Sequence, residues 1–301
     1  MPNRISNQLL TKNFVADLRS NIRQLAKVQR QIATGRVVNT PEDDPKQIAT
    51  ILLFDKQIDR INQHRRNSEM SRDFLDNSES ALQVLSADIQ RARELSVRVA
   101  NGTMGAEDRQ AVREEIFQLL DDAVAVGNQQ IAGQYLFSGT RTTVRPFSLD
   151  TATLDVAYNG NSESILREID SGQNLEVNIP GDDGAGTGTF QTIFKGLKTV
   201  LSAIDSNDAE TLGNAALEDM DDALNAVSQA RTVLGAKSNR IMNNVDRLSD
   251  VQIRTMQFRS ELQDLDVADG VTRLNIAETT YRAALAVGAR VIQPTLLDFL
   301  R

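Results

Sequence analysis

A single histidine, His64, and no cysteine leave this chain few side chains able to carry acid–base or nucleophilic chemistry. Disulfides, thiolate metal sites and cysteine nucleophiles are excluded, and a histidine-rich zinc site or a serine triad has one imidazole to draw on. His64 stands in Arg60-Ile-Asn-Gln-His-Arg-Arg66, a polar helix face that predicts a solvated side chain. Glu42, Asp43 and Asp44 form a carboxylate run. A calcium loop needs ligands at alternating positions plus a distant bidentate glutamate, and that spacing is missing. No carboxylate pair stands in the pocket-forming context that glycoside hydrolysis requires. Gly181 to Gly188 (GDDGAGTG) lacks the Gly-Lys-Ser/Thr of a phosphate loop, and Thr189 stands where a dinucleotide pattern needs its last glycine. It reads as a flexible hairpin loop. Asn101-Gly-Thr103 matches a glycosylation acceptor, a pattern too short to carry weight. No catalytic residue, cofactor or metal is expected, so the chain reads as a non-enzyme.

The composition points the same way. The 301 residues suffice for about two domains, but only 4% are aromatic and none is tryptophan. A net charge of −8 argues against nucleic acid, because phosphate binding needs a basic surface. No run approaches the roughly 18 apolar residues of a membrane helix, and near the N-terminus the pair Leu9-Leu10 falls short of a signal-peptide core. Taken alone, this suggests the cytosol. It leaves open an export route that reads an uncleaved N-terminus.

Long segments without Gly or Pro must position whatever does the work: Asn3–Thr34, Lys46–Asn101, Ala106–Val126, Asn214–Leu234 and Ala236–Asp269. Apolar residues recur along the helical runs at alternating three and four spacing, the narrow seam of a coiled coil. Val15, Leu18, Ile22, Leu25 and Ile32 form the first stripe, interrupted by Gln29. Leu75, Leu82, Leu85, Ile89, Ala92 and Val99 form the second, with Ser78 and Ser96 filling gaps. Val112, Ile116, Leu119, Ala123 and Val126 form the third. Leu217, Met220, Leu224, Val227 and Leu234 form the fourth, interrupted by Arg231. Leu248, Val251, Phe258, Leu262 and Leu265 form the fifth. Val267, Val271, Leu274, Tyr281, Leu285 and Ile292 form the sixth, with Glu278 and Gly288 in register as marks of a polar key or of tight packing. The run from Lys46 to Asn101 spans about 80 Å as one helix, which predicts an elongated molecule.

The middle changes character. Nine of the 17 glycines lie between Gly133 and Gly196. From Arg141 to Ile193, short apolar bursts (Val144–Phe147, Thr153–Tyr158, Ser164–Ile169, Asn174–Ile179) alternate with turn signals at Asn159-Gly-Asn161, Ser171-Gly172 and Pro180–Gly184, as in β-hairpins. The fold class is therefore mainly α: an elongated coiled-coil or helical bundle from paired N- and C-terminal segments, with an inserted small β domain. Lone amphipathic helices are marginal in water, so the two ends must fold together. Met1–Arg36 carries seven basic residues against one acidic, and Ser260–Arg301 four against six, so charge favours the pairing.

At the corner, Thr34-Gly35-Arg36 stops the first helix with a glycine cap, and Thr40 or Asp44 caps the next with Pro41 or Pro45 in its first turn. Glu107 and Asp108 open a helix at its positive end. The apolar ending Leu296-Leu297-Asp-Phe299-Leu suggests a docked terminus, since free ends are normally polar.

Gln31-Ile-Ala-Thr34-Gly35-Arg36 followed by Asn39-Thr-Pro41-Glu-Asp43-Asp44-Pro45 resembles a segment of the bacterial flagellin superfamily. Gln90-Arg-Ala-Arg93-Glu94-Leu95-Ser96, Asn101-Gly-Thr103, Asp108-Arg109 and Gly133-Gln-Tyr135-Leu136-Phe137-Ser-Gly139 narrow the resemblance. Filament flagellins usually carry Ser-Gly-Leu-Arg-Ile-Asn-Ser and Asp-Asp-Ala. This chain's Thr-Gly-Arg36, Asp-Asp-Pro45 and Leu-Leu-Asp-Phe-Leu ending look more like the superfamily's hook–filament junction branch. The resemblance covers Ile5–Arg141 and Leu217–Arg301.

The resemblance implies a structural, non-enzymatic protein in three layers: 1–40 with 266–301 as a terminal coiled coil, 41–140 with 196–265 as a helical bundle, and 141–195 as an outer β domain. It implies export through the flagellar type III channel without a cleaved signal peptide, and assembly outside the cell with terminal helices that order as neighbours join. The implied partners are a FlgK-type junction protein below, flagellin above, identical neighbouring subunits, and a secretion chaperone at the C-terminal region. The apolar terminal seams, including Leu296, Leu297 and Phe299, are the expected assembly interface. Two alternatives remain at this stage: a short flagellin that builds the filament itself, and a coiled-coil signalling or tethering protein.

Overall fold

The structure, a computed structural model, describes residues 3–102, 104–185 and 188–292. Among the described residues, seven helices and six short strands follow one another as α1 (Asn3–Thr34), α2 (Pro45–Ala100), α3 (Ala106–Gly127), β1 (Gln130–Ile131), β2 (Gln134–Tyr135), β3 (Phe147–Asp150), β4 (Asp155–Tyr158), β5 (Leu166–Asp170), β6 (Gln173–Glu176), α4 (Thr189–Asp205), α5 (Ala209–Gly213), α6 (Ala215–Gln263) and α7 (Val267–Ile292). The long helices occupy the segments free of Gly and Pro. Gly235 inside α6, Gly270 and Gly288 inside α7 and Gly196 inside α4 are exceptions; at Gly235 nothing stands within 4 Å of where its Cβ would be, so the helix absorbs it.

These strands make three separate two-stranded antiparallel hairpins. The β5–β6 turn is Ser171-Gly172, with Gly172 at φ +70 as a two-residue hairpin turn requires. The other two hairpins carry weaker signals. The β3–β4 turn has Leu154 at φ +61, and β1–β2 turns through Ala132 and Gly133. That first hairpin lies before residue 141. The segment Gly181–Ala185 is not a hairpin loop. It lies on the way from β6 to α4, and Asp182 and Asp183 fold it by accepting from the amides of Gly184 and Ala185.

The chain divides into two units, residues 1–60 with 251–301, and residues 61–250. In the 61–250 unit, Leu75, Leu82, Leu85, Ile89, Ala92 and Val99 are all within 4% of full burial, so the second stripe is a true core seam. The gaps in that stripe are filled by Ser78 and Ser96, whose hydroxyls donate to the carbonyls of Phe74 (2.9 Å) and Ala92 (2.7 Å) and leave no orphan polar group. Val112, Ile116 and Leu120 of α3 and Phe190, Ile193, Leu197, Val200 and Leu201 of α4 close the core. Several of the scarce aromatics gather at one point: Phe137, Phe147, Phe190 and Phe194 have ring centroids 4.5–6.0 Å apart, with Tyr158 at 5.2 Å from Phe147. The Tyr158 hydroxyl donates to the Phe137 carbonyl at 2.9 Å, and burial pushes its pKa up to about 12.

His64 departs from the expectation of a solvated side chain. It is half-buried on α2, with Nδ1 covered. The β5–β6 hairpin docks against this stretch of α2 and against α6: Asn67 Nδ2 of α2 donates to the Glu168 carbonyl and Asn244 Nδ2 of α6 to that of Ile169.

In the unit of 1–60 and 251–301, α1 lies along α7 within the single chain. The two helices that pair belong to one chain, and apolar side chains remain exposed on both.

Candidate assembly interface

The pairing face of α1 is Phe14, Leu18, Asn21, Leu25, Val28 and Ile32, spaced four, three, four, three, four. The facing residues of α7 are Gly270, Leu274, Ala277, Tyr281, Ala284 and Gly288. Leu18, Leu25, Ile32, Leu274 and Tyr281 thus meet in one seam, as their spacing predicts. Val15, Ile22, Val267, Val271 and Leu285 do not enter it; they are 38–63% exposed. The stripe drawn from sequence mixes two adjacent faces, because residues one position apart lie only 100° apart around a helix. Phe14 and Val28 belong to the seam and were missed for the same reason. Phe258, expected in the fifth stripe, is 54% exposed and lies against the Phe54 ring at 6.4 Å.

Gly288 marks tight packing and not a polar key. A Cβ there would come within 2.0 Å of the Phe14 ring, so only glycine admits the aromatic. Glu278 turns toward Arg282 one turn on, at 3.5 Å. Among the described side chains no ion pair joins α1 to α7; that of Lys27 runs to Asp43 at 3.1 Å. The side chain of Ile292, together with Leu296, Leu297 and Phe299, lies outside the described residues.

The motif residues build the corners that hold this pair. Gly35, at φ +68, closes α1: its amide donates to the Ile32 carbonyl and that of Arg36 to Gln31, satisfying two end carbonyls. Thr34 donates to the Arg30 carbonyl. Asn39 donates to the Arg36 carbonyl. Asp44 caps α2 by accepting from the amides of Lys46 and Gln47 at 3.0 Å, with Pro45 as the first helical residue and Pro41 exposed in the turn before it. Asp43 accepts from the amides of Asn39 and Thr40 and from the Thr40 hydroxyl, all at 3.2 Å. Desolvation would raise its pKa, but Lys27 and these amides outweigh it and hold the carboxyl at about 2.

This corner is tied to the α6–α7 corner. The Leu265 amide donates to the Gly35 carbonyl at 2.9 Å and the Val37 amide to the Gln263 carbonyl at 2.8 Å. Gln47 Nε2 donates to the Leu262 carbonyl at 2.8 Å.

The other motif residues belong to the 61–250 unit. Arg93 pairs with Asp221 at 2.7 Å, Glu94 with Arg91 at 3.5 Å, and Leu95 is fully buried. Asp108 sits in the first turn of α3, and Arg109 donates to the Met104 carbonyl. Tyr135 is in β2, Leu136 and Phe137 are buried, and Gly139 turns at φ +67 against the Asn161 backbone.

Most large apolar side chains left exposed lie in the 1–60 and 251–301 unit. Leu9, Val15 and Ile22 are on α1, Leu52 and Leu53 on α2, Ile253, Met256 and Phe258 on α6, and Val267, Val271, Ile276, Leu285 and Val287 on α7. Apolar side chains concentrated in one unit in this way suit a surface that a partner covers. Among the described residues no group of three His, Cys, Asp or Glu is placed to hold a metal. No described helix is long and apolar enough to cross a membrane.

Residues 5–142 match the bacterial flagellin N-terminal helical region and residues 217–300 the bacterial flagellin C-terminal helical region. This chain belongs to the bacterial flagellin family. Among curated flagellin-family relatives, it is 27% identical over 286 residues to a flagellin of Halalkalibacterium halodurans, covering 94% of each chain. It is 24% identical over 304 residues to flagellar hook-associated protein 3 of Escherichia coli, covering 93% of this chain and 94% of that protein. Among solved structures it resembles FlgL of Bacillus cereus, with a TM-score of 0.58 and 22% identity over 68% of this chain and 97% of that one. The flagellin-family regions hold α1, α2, α3, β1, β2, most of α6, and α7, while β3 to β6, α4 and α5 lie between them.

Proposed function

We propose that this flagellar structural subunit forms the junction between hook and filament, so that flagellin polymerises above it. The observation that carries an assembly role is the apolar surface left exposed on the terminal helices, beside the face on which α1 and α7 meet. In a lone chain that surface faces water; in an assembly, identical neighbouring subunits cover it. Supporting the junction over the filament are the Thr34-Gly35-Arg36 and Asp43-Asp44-Pro45 corner and the fold shared with FlgL.

The partners that go with this reading are a FlgK-type junction protein below, flagellin above, and a secretion chaperone at the C-terminal region during export through the type III channel. The three-layer division, 1–40 with 266–301, 41–140 with 196–265, and 141–195 outermost, belongs to the same reading. The exposed side chains of the terminal helices, Val15, Ile22, Val267, Val271 and Leu285, and the apolar end at Leu296, Leu297 and Phe299 serve as its assembly interface, and the family motif residues position them. No catalysis is involved.

A short flagellin that builds the filament is the second reading, favoured by the identity to the flagellin of Halalkalibacterium halodurans. Deleting the gene separates the two. The junction reading expects complete hooks, no filaments, and flagellin released into the medium while the flagellin gene is intact. It also expects that purified protein fails to extend flagellin seeds. Long self-extending filaments from the pure protein would overturn it.

A further inference from the structure

Apart from Phe14 against Gly288, most of the α1–α7 seam repeats and cannot set its own alignment. Leu18, Leu25 and Ile32 recur every seven residues, as do Leu274 and Tyr281, and likewise Gly270, Ala277 and Ala284. Sliding one helix by a heptad, about 10 Å, parts Phe14 from Gly288 but brings most of the apolar residues against apolar residues again. Something that does not repeat must choose among these alignments.

The corners carry such a feature. Gln31 is 6% exposed and Gln263 is 9% exposed, two amides almost fully withdrawn from water. Gln31 Nε2 donates to the Val37 carbonyl at 2.6 Å, binding the end of α1 to the segment that follows it. The amide of Val37 donates to the carbonyl of Gln263 at 2.8 Å, which ties that segment to the α6–α7 corner. With its side-chain oxygen turned toward Arg36, Gln263 also accepts from Nε and Nη1 at 3.1 Å. On the far side, Asp266 accepts from the amide of Ala268 at 2.8 Å and so fixes where α7 begins. A heptad slip breaks this chain and leaves buried amides without partners, a penalty apolar side chains do not incur.

We propose that Gln31, Gln263 and Arg36 are positioning residues that select the one register in which the two terminal helices pair. Buried polar groups act this way in coiled coils, giving up some stability to exclude misaligned states. The proposal stands on the fold alone and holds whether the chain builds a junction or a filament.

The absence of native cysteine makes the test direct. Arg23→Cys and Arg282→Cys place spin labels at exposed positions of α1 and α7 in the full-length chain, and electron–electron double resonance reads their separation. The expected result is one narrow distance in the parent. In the Gln31→Leu/Gln263→Leu variant, a second population appears, displaced by about 10 Å, with unchanged helical circular dichroism. Gln263→Glu keeps an oxygen acceptor for Arg36 and retains the single distance. A single unchanged distance in the double leucine variant overturns the proposal, as does a broad distribution already present in the parent. Loss of helix in the double variant also overturns it, because the amides would then supply stability and not register.

Discussion

Leu285 is 42% exposed on α7, so a charge there reaches water in the single chain and has nowhere to go once a neighbour packs over it. Leu285→Asp is expected to change the stability of the isolated chain by no more than about 0.5 kcal/mol while abolishing incorporation into flagella. Unfolding midpoints and a motility assay of the same variant check both halves. Normal motility would remove this face from the interface. Asp43 makes a second residue-scale case. Its carboxyl sits near 2 when folded and near the ordinary value of about 3.9 when unfolded, so its contribution is present above about pH 4 and fades as pH falls toward 2. The urea midpoint should therefore drop less between pH 4 and pH 2 in Asp43→Asn than in the parent. Equal drops would place the acid sensitivity elsewhere.

At the scale of elements, burial separates the helices. Leu82 is fully buried in the middle of α2, and Leu82→Ala should cost about 2–5 kcal/mol, read from denaturant unfolding. The inserted hairpins depend on fewer anchors. Tyr158→Phe removes the hydroxyl that donates to the Phe137 carbonyl and should cost about 1 kcal/mol while the aromatic cluster stays packed. A larger loss with a changed near-ultraviolet spectrum would mean that the hydroxyl organises the cluster. Element boundaries were well signalled: Asp44, Pro45, Gly35 and Gly172 each mark an end through local backbone chemistry that needs no partner. The β3–β4 turn was not, because Leu154 at φ +61 has no glycine to announce it. His64 was misread because its helix face is polar in sequence, and the hairpin that docks near it comes from about a hundred residues away.

At the scale of the molecule, the contrast is between a 61–250 unit whose stripes are buried and a terminal unit whose helices keep apolar surface. A subunit built that way stays soluble as a monomer only while the exposed area is dispersed, and gains stability when copies or partners cover it. Proteolysis should accordingly begin near the two ends in dilute solution and stop there once the protein is assembled on hooks. Ends fully protected in the dilute monomer would argue that neighbours add nothing to them.

Periodicity, capping residues and turn glycines act over a few positions. For that reason the helices, the β5–β6 hairpin and the family corner could all be read from the chain alone. Which side of α1 and α7 is core could not. A helix with apolar residues on adjacent faces does not state which of them meets its partner. That choice is made by a glycine 274 residues from the phenylalanine it admits, and by two corners bonded across more than 200 residues of intervening chain.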